Sequence, residues 1–390
     1  MLQLVNRLVE GFDNIRSPTA LSLKHGGYSE PSPPEYITGR RGSGYASRAA
    51  TSGDYVISSK VVTPINRWYF GSAIYLADLT FNWTDNKKLI HSLWSNGVFV
   101  GGLYMTYNEA LKVDEVTFKF YSGINDTLTP VEVAWGGYDP LTDYIPFGNG
   151  AWMYIESKII LDLAGSGVVE VWVNGVSLYS FNTIETNQID AVADQGKIHW
   201  GYNSGNPVIA VDDLYINDFS GSTSSGFDGA LGPIVVEGIK VIENSADEVT
   251  HNEWIATDGS PNWTQHTESG TGGIDGDLTK VTSNTGNDHE LYTMSSPAVV
   301  SPPYTSVLGV EINVAGSKDT GASTRVIKPA FRRVTGDTYA TSPNEMSIDN
   351  EVTSGYEVTS ELLEVNPVTA LAWTIVDLPD TEFGMELQPF

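Results

Sequence analysis

Apolar and polar residues alternate with a period of two through most of this chain, most clearly over Val168–Phe219. That stretch reads VVEVWVNGVSLYSF, then a polar spacer, then KIHWGY and VIAVDDLYINDF. Val169, Val171 and Val173 share one face of a strand, and Glu170, Trp172 and Asn174 share the other. Asn174-Gly175 is the strongest short signal for a hairpin, and the alternation resumes beyond it. Trp152–Leu163 alternates in the same way. Met153, Ile155, Ile159 and Leu161 face one side and Glu156 and Lys158 the other, and Gly165-Ser166-Gly167 turns the chain back toward the next strand.

The same period predicts strands at Tyr55–Val62, Trp68–Tyr75, Leu79–Trp83, Leu89–Ser95, Val98–Tyr107, Val113–Tyr121, Val131–Trp135, Lys197–Tyr202 and Val208–Ile216. Upstream, Met1–Phe12 has Leu4, Val5, Leu8 and Val9 at helical spacing over a span short enough to be one or two turns of helix or a first strand. Residues 13–54 show little periodicity, and Gly39–Tyr45 reads as a tight turn or loop. Many short strands separated by turn residues predict an all-β protein whose first domain is a jelly-roll sandwich. A Gly/Ser-rich run, SGSTSSGFDGALG at Ser220–Gly232, marks the boundary. The expected layout is a first domain over 1–222, a linker over 223–232 and a smaller second β-sandwich over 233–390. That second domain has strand-like runs at Leu278–Val281, His289–Met294, Ser306–Val314, Thr324–Thr335, Tyr356–Val365 and Ala372–Val376.

Charge narrows the partners. The net charge is −27 over 390 residues; residues 1–222 hold 14 Lys and Arg against 23 Asp and Glu, and residues 223–390 hold 7 against 25. Such a surface repels phosphate backbones and anionic bilayers, so neither nucleic-acid binding nor membrane insertion is expected. With no cysteine, disulfides and Cys-ligated zinc are excluded. MLQLVNRLVEGF is too short and too polar for a signal peptide or a membrane span.

Nucleophile-elbow, P-loop, GxGxxG and HExxH signatures are absent. The six histidines, at 25, 91, 199, 251, 266 and 289, do not fall at ligand spacing, so no metal or cofactor is expected; His199 beside Trp200 reads as a packed or rim histidine. Adjacent Asp212 and Asp213 point to opposite faces of a regular strand, which calls for a β-bulge or a strand-end hydrogen-bonding role; calcium binding is the alternative. The loop from Trp135 to Tyr144 offers the best ligand chemistry. Trp135, Tyr138 and Tyr144 could stack on a sugar while Asp139 and Asp143 accept its hydroxyls, or the loop could pack on its own sandwich or on a neighbouring subunit. Trp94, Tyr104 and Tyr107 are open between core, interface and ligand contact. In the second domain Arg325, Lys328, Arg332 and Arg333 cluster in an otherwise acidic half, suited to a subunit contact or to a solvated strand face.

The Trp152–Phe181 block and the closing AVDDLYINDF resemble laminin-G-like and concanavalin A-like jelly rolls over roughly residues 10–220. The usual Glu-x-Asp-x-Glu strand of the glycosidases on that fold is not found here. Together with DGDLTKV, VLGVEINVAGSKD, Asn366-Pro367-Val368-Thr369 and EFGMEL in the second domain, the layout is similar to virion structural proteins of tailed bacteriophages. That resemblance implies a non-enzymatic virion component at the tail tip or fibres, with a lectin-like module for host-surface polysaccharide. It also implies a homo-oligomer, most simply a trimer, contacting other virion proteins. The alternatives are a capsid decoration or head-fibre protein, or a glycan-cleaving enzyme.

Overall fold

The computed structural model describes residues 7–10, 35–38, 40, 45–48, 53–76, 87–107, 115–124, 127–132, 145–146, 151–162, 166–184, 192–202, 209–217, 234, 236, 241–245, 253–256, 260–261, 281–295, 307–336, 338–343, 345–351 and 356–390. The protein is all-β, and its sheets are antiparallel. Two compact units divide it at Val236/Glu237.

Among the described residues the first unit contains fifteen strands. They are β1 (Arg7–Glu10), β2 (Glu35–Thr38), β3 (Tyr45–Arg48), β4 (Gly53–Ile65), β5 (Arg67–Leu76), β6 (Lys87–Ser95), β7 (Val98–Tyr107), β8 (Glu115–Ile124), β9 (Thr127–Glu132), β10 (Ile145–Pro146), β11 (Trp152–Ile160), β12 (Gly167–Val173), β13 (Val176–Ile184), β14 (Ala193–Tyr202) and β15 (Ile209–Asn217). An eight-stranded sheet runs β13-β12-β11-β5-β15, with β3 and β1 sharing the far edge of β15 and β2 beyond β3. The opposing seven-stranded sheet runs β4-β14-β6-β7-β8, with β9 and β10 sharing the far edge of β8. Together they form the jelly-roll sandwich.

The inner faces come from the alternation. Met153, Ile155, Ile159 and Leu161 are buried, as are Val169, Val171 and Val173. Asn174 and Gly175 both take positive φ (51° and 79°), the two-residue turn expected there; Asn96-Gly97 repeats it between β6 and β7 (49° and 81°). Trp68 of β5 lies so close to Gly196 of β14 that a Cβ there would come within 2.8 Å of the indole. His91 of β6 lies between the sheets, with Nε2 3.0 Å from Ser72 Oγ, Nδ1 2.8 Å from Ser157 Oγ, and its ring stacked on Phe70. Burial, assisted by the nearby charge of His199, lowers its pKa from 6.5 to about 3, so it is neutral in the fold.

Strands β1, β2 and β3 fall where the sequence shows a helix-or-strand ambiguity and a loop-like region. The first is extended and pairs with β15, and the other two form a hairpin around Arg40. Strands expected at Leu79–Trp83 and over residues 133–135 lie outside the described residues. The Asp212–Asp213 pair does sit at a bulge: the register shifts between Asp212 and Tyr215, and Asp213 has φ 49°. Arg40 fills the cation role at that bulge. Its Nε is 2.9 Å from Asp213 Oδ2, its backbone N–H donates to Asp212 Oδ2 at 2.9 Å, and its guanidinium lies over the Tyr154 ring. Arg40 also donates to the Ile234 carbonyl, and Val236 N–H donates to Asp213 Oδ1 at 2.7 Å. The bulge thus ties residues 234 and 236 to the sandwich.

The second unit contains β16 (Val241–Asn244), β17 (Ile255–Ala256), β18 (Val281–Thr282), β19 (His289–Met294), β20 (Val310–Gly316), β21 (Arg325–Arg333), β22 (Thr338–Thr341), β23 (Met346–Ile348), β24 (Glu357–Leu363), β25 (Val365–Asn366), β26 (Leu371–Ala372) and β27 (Thr381–Leu387). Its main sheet runs β16-β19-β27-β21-β22, with β23 also on β21. The β20–β24 ribbon packs on it through Val310, Leu363, Phe331, Phe383 and Trp373. The Trp373 indole donates to the Leu363 carbonyl at 3.0 Å.

Two outcomes follow. The unfolded chain protonates His91 near the ordinary histidine value and the folded chain does not. Urea-unfolding stability should therefore fall as the pH drops from about 6.5 toward 3, with a slope of one proton that His91→Gln removes. Asp213→Asn should destabilise the first unit by about 3 kcal/mol, because it strands a buried guanidinium, and thermal unfolding measures that loss.

Candidate functional site

Strand β14 has one face in the core and one face out. Gly196, Ile198 and Trp200 are buried against the opposing sheet, so Gln195, Lys197 and His199 project from the other side. Opposed residues on neighbouring antiparallel strands share a face, and the register extends this outer surface across the sheet. Gln195 pairs with Trp94, and Lys197 with Ser92 on one side and Ser58 on the other. Ser92 pairs with Gly102, and Gly102 with Tyr121. Tyr104 pairs with Leu89 on β6 and with Lys119 on β8.

Gly102 and Ser92 lie in the middle of this face, with the side chains of Leu89 and Phe99 packed over Gly102. Trp94, Lys197 and His199 stand to one side of them, and Tyr104, Tyr121 and Lys119 to the other. Strands lie about 4.8 Å apart, so Tyr104 and His199, two strands from each other across the β6 bulge at Leu89–His91, have backbones about 10 Å apart. Ser92, His199 and Tyr121 are buried; Trp94, Phe99, Tyr104, Lys119, Gln195 and Lys197 are half-buried.

Hydrogen bonds fix the polar groups. Ser92 Oγ is 2.7 Å from His199 Nε2, and the Trp94 indole N–H donates to that same Oγ at 2.8 Å. Gln195 Nε2 donates to Ser58 Oγ at 3.0 Å. Lys197 Nζ stands 3.9 Å over the Trp94 ring, whose edge meets Phe99. Tyr104 and Tyr121 pack edge to face, 4.7 Å between centroids. Burial lowers the Lys197 pKa, opposed by the nearby Asp194 carboxylate. In a chain of net charge −27, this surface gathers Lys119, Lys197 and an imidazole, and no pair of carboxylates stands among its described side chains.

The loop residues Trp135, Tyr138, Asp139, Asp143 and Tyr144 lie outside the described residues. The four cations singled out in the second unit, Arg325, Lys328, Arg332 and Arg333, find partners within the chain. Arg325 lies over the Phe390 ring, and Lys328 pairs with Glu345 at 3.4 Å. Arg332 pairs with buried Glu382 at 2.9 Å, and Arg333 with Asp380 at 2.9 Å. Among the described residues no group of three or more His, Asp and Glu is placed to hold a metal ion. This face draws on residues that sequence reasoning assigned elsewhere, since His199 reads there as a packed histidine and Trp94 and Tyr104 as undecided aromatics. One available signal is the period-two polar face Gln195, Lys197, His199 inside an apolar run.

No family model matches this chain, and no curated protein matches it. Solved structures do. It is similar to the alginate lyase Aly36B (12% identity, 56% of this chain and 98% of that one, TM-score 0.41). A second is the endo-β-1,4-glucuronan lyase from the fungus Trichoderma reesei (11%, 50% and 91%, 0.34). A third is the carbohydrate recognition domain of Emp46p (8%, 53% and 95%, 0.32). The expected role as a phage virion component for host attachment is corrected at this point. The similar structures named here are two polysaccharide lyases and a carbohydrate recognition domain rather than virion components.

An anion bound at Lys197 favours the charged amine. Affinity for such an anion should therefore hold at neutral pH and weaken as the pH rises, beginning below the ordinary lysine range because the free amine already has a lowered pKa. Calorimetric titration across alkaline pH, with Lys197→Met as the pH-insensitive control, measures the effect.

Proposed function

We propose that the first unit binds an acidic polysaccharide along the outer face of its seven-stranded sheet and cleaves it by β-elimination at a uronic acid. The observation behind this reading is the single sheet face that carries a cation, an amide and an imidazole on β14 and phenols on β7 and β8. Trp94 and Phe99 offer flat faces for sugar rings.

Hydrolysis of a glycosidic bond uses two carboxylates about 5–10 Å apart, and the described side chains of this face supply none as a pair. Elimination needs different groups. A base takes the proton from C5, next to the uronate carboxylate, and the electron pair forms the C4=C5 double bond. The C4–O4 bond then breaks, and the departing oxygen takes up a proton. The C5 proton becomes acidic enough only when the carboxylate charge is neutralised. Lys197 supplies that charge and Gln195 a hydrogen-bond donor beside it. The half-buried phenol of Tyr104, two strands away on the same face, moves the proton.

Purified chain incubated with polyuronates should release oligosaccharides with an unsaturated terminal uronate, seen by its ultraviolet absorbance, and should leave a neutral glucan intact. Lys197→Met and Tyr104→Phe should each lower the rate by about a hundredfold or more. Binding with no unsaturated product would reduce the assignment to recognition alone, and neither binding nor product would remove it.

A further inference from the structure

Three lysines elsewhere in this chain end on an oxygen. Lys158 Nζ is 3.2 Å from Glu170, Lys328 Nζ is 3.4 Å from Glu345, and Lys318 Nζ donates to the Ala322 carbonyl at 2.9 Å. Lys197 ends on a ring. Its Nζ stands 3.9 Å from the centroid of Trp94, and among the described residues no carboxylate pairs with it and no oxygen accepts from it. We propose that Trp94 is a positioning residue: it holds the Lys197 ammonium by a ring face in place of an oxygen, and so keeps the three N–H donors of that ammonium for the carboxylate of an acidic sugar. The step to the sugar rests on the function proposed above for this face; the contact between Lys197 and Trp94 does not.

Register makes the contact. Trp94 on β6 pairs with Gln195 on β14, so Lys197, two residues along, is its diagonal neighbour on the same face, a spacing that aromatic rings and long side chains bridge. The indole is itself held. Its N–H donates to Ser92 Oγ at 2.8 Å, and its ring meets Phe99 edge-on, with centroids 5.7 Å apart and planes at 82°. Two contacts thus fix the plane on which the ammonium rests.

With 48 Asp and Glu against 21 Lys and Arg, an acidic partner is the ordinary fate of a cation in this chain. Asp194 lies close enough to favour the charged amine, but its Oδ1 accepts from the backbone N–H of Asn96 at 3.2 Å, and it forms no ion pair with Lys197. The two kinds of partner differ in what they leave over. A carboxylate takes up a donor and cancels the charge, so an incoming anion must displace it. A ring attracts the cation through its quadrupole and carries no net charge. The ammonium therefore meets a uronate with its full charge and three donors, at a fixed place. The indole face turned to Lys197 is taken, so Trp94 serves the sugar through the lysine.

The contact is read from carbon–proton spectra of the full chain labelled with ¹³C-lysine. The ε-methylene protons of Lys197, assigned by their disappearance in Lys197→Met, should be shifted upfield by the indole ring current. Trp94→Phe should keep a smaller upfield shift and Trp94→Leu should lose it. Oligomers of galacturonate, glucuronate and mannuronate are the ligands. At saturation with an oligomer that binds, the wild-type resonance should stay upfield. By calorimetric titration Trp94→Leu should weaken that binding about fivefold, and Trp94→Phe should restore most of it. Lys197 ε-protons at ordinary positions in the free wild type overturn the proposal, and that measurement needs no variant to fold. Their return to ordinary positions on saturation also overturns it, because the sugar would then have taken the indole face itself. Binding unmoved by Trp94→Leu overturns it as well. An upfield resonance in a wild type that binds none of the oligomers would instead refute the proposed function, and would leave only the Lys197–Trp94 contact standing.

Discussion

The first unit depends on one close approach. Trp68 of β5 lies against Gly196 of β14, where there is no room for a Cβ, and this contact sets how near the two sheets come. It also sets the phase of β14. With Gly196, Ile198 and Trp200 committed to the core, the period of two leaves Gln195, Lys197 and His199 no choice but the outer face. A slip of one residue would bury a lysine and expose a tryptophan. The candidate site is therefore the reverse side of the core, specified by the same packing.

Polar groups inside the sandwich follow the same economy. His91 is surrounded by apolar side chains, yet both ring nitrogens have a serine, and the burial that lowers its pKa keeps it neutral. Arg40 and Asp213 form a buried ion pair at a bulge, where one extra residue turns a carboxylate toward a cation instead of into the core. Such a pair adds little net stability over an apolar substitute, but it is expensive to break from one side, so it fixes geometry. In the second unit, Arg332 with buried Glu382 repeats the pattern on β21, whereas its neighbour Arg333 pairs with Asp380 at the surface.

The electrostatic contrast gives the outer face its chemical character. An acidic chain ordinarily repels an acidic polymer. Here a lysine is held over an indole and flanked by an amide and an imidazole, with another lysine three strands away on the same face. Partial burial lowers the cost of desolvating that lysine when an anion arrives, because part of its hydration is already lost.

Local pattern was enough for much of this architecture. The alternation in β11 and β12, the Asn174-Gly175 turn and the bulge at Asp212–Asp213 are all legible, because each arises from the geometry of a few consecutive residues. Strands β1, β2 and β3 were not, because short strands on a sheet edge carry too few alternations to stand out and acquire their structure from β15 and one another. The site shows the division most clearly. Sequence alone determined that Gln195, Lys197 and His199 share one side of a strand. Only the tertiary structure decided that β6, β7 and β8 lie beside that strand and bring Ser92, Trp94, Tyr104 and Lys119, about a hundred residues away, onto the same face. The physical reason is that strand order and register come from burying many side chains against the opposing sheet at once, and no short window of residues contains that information.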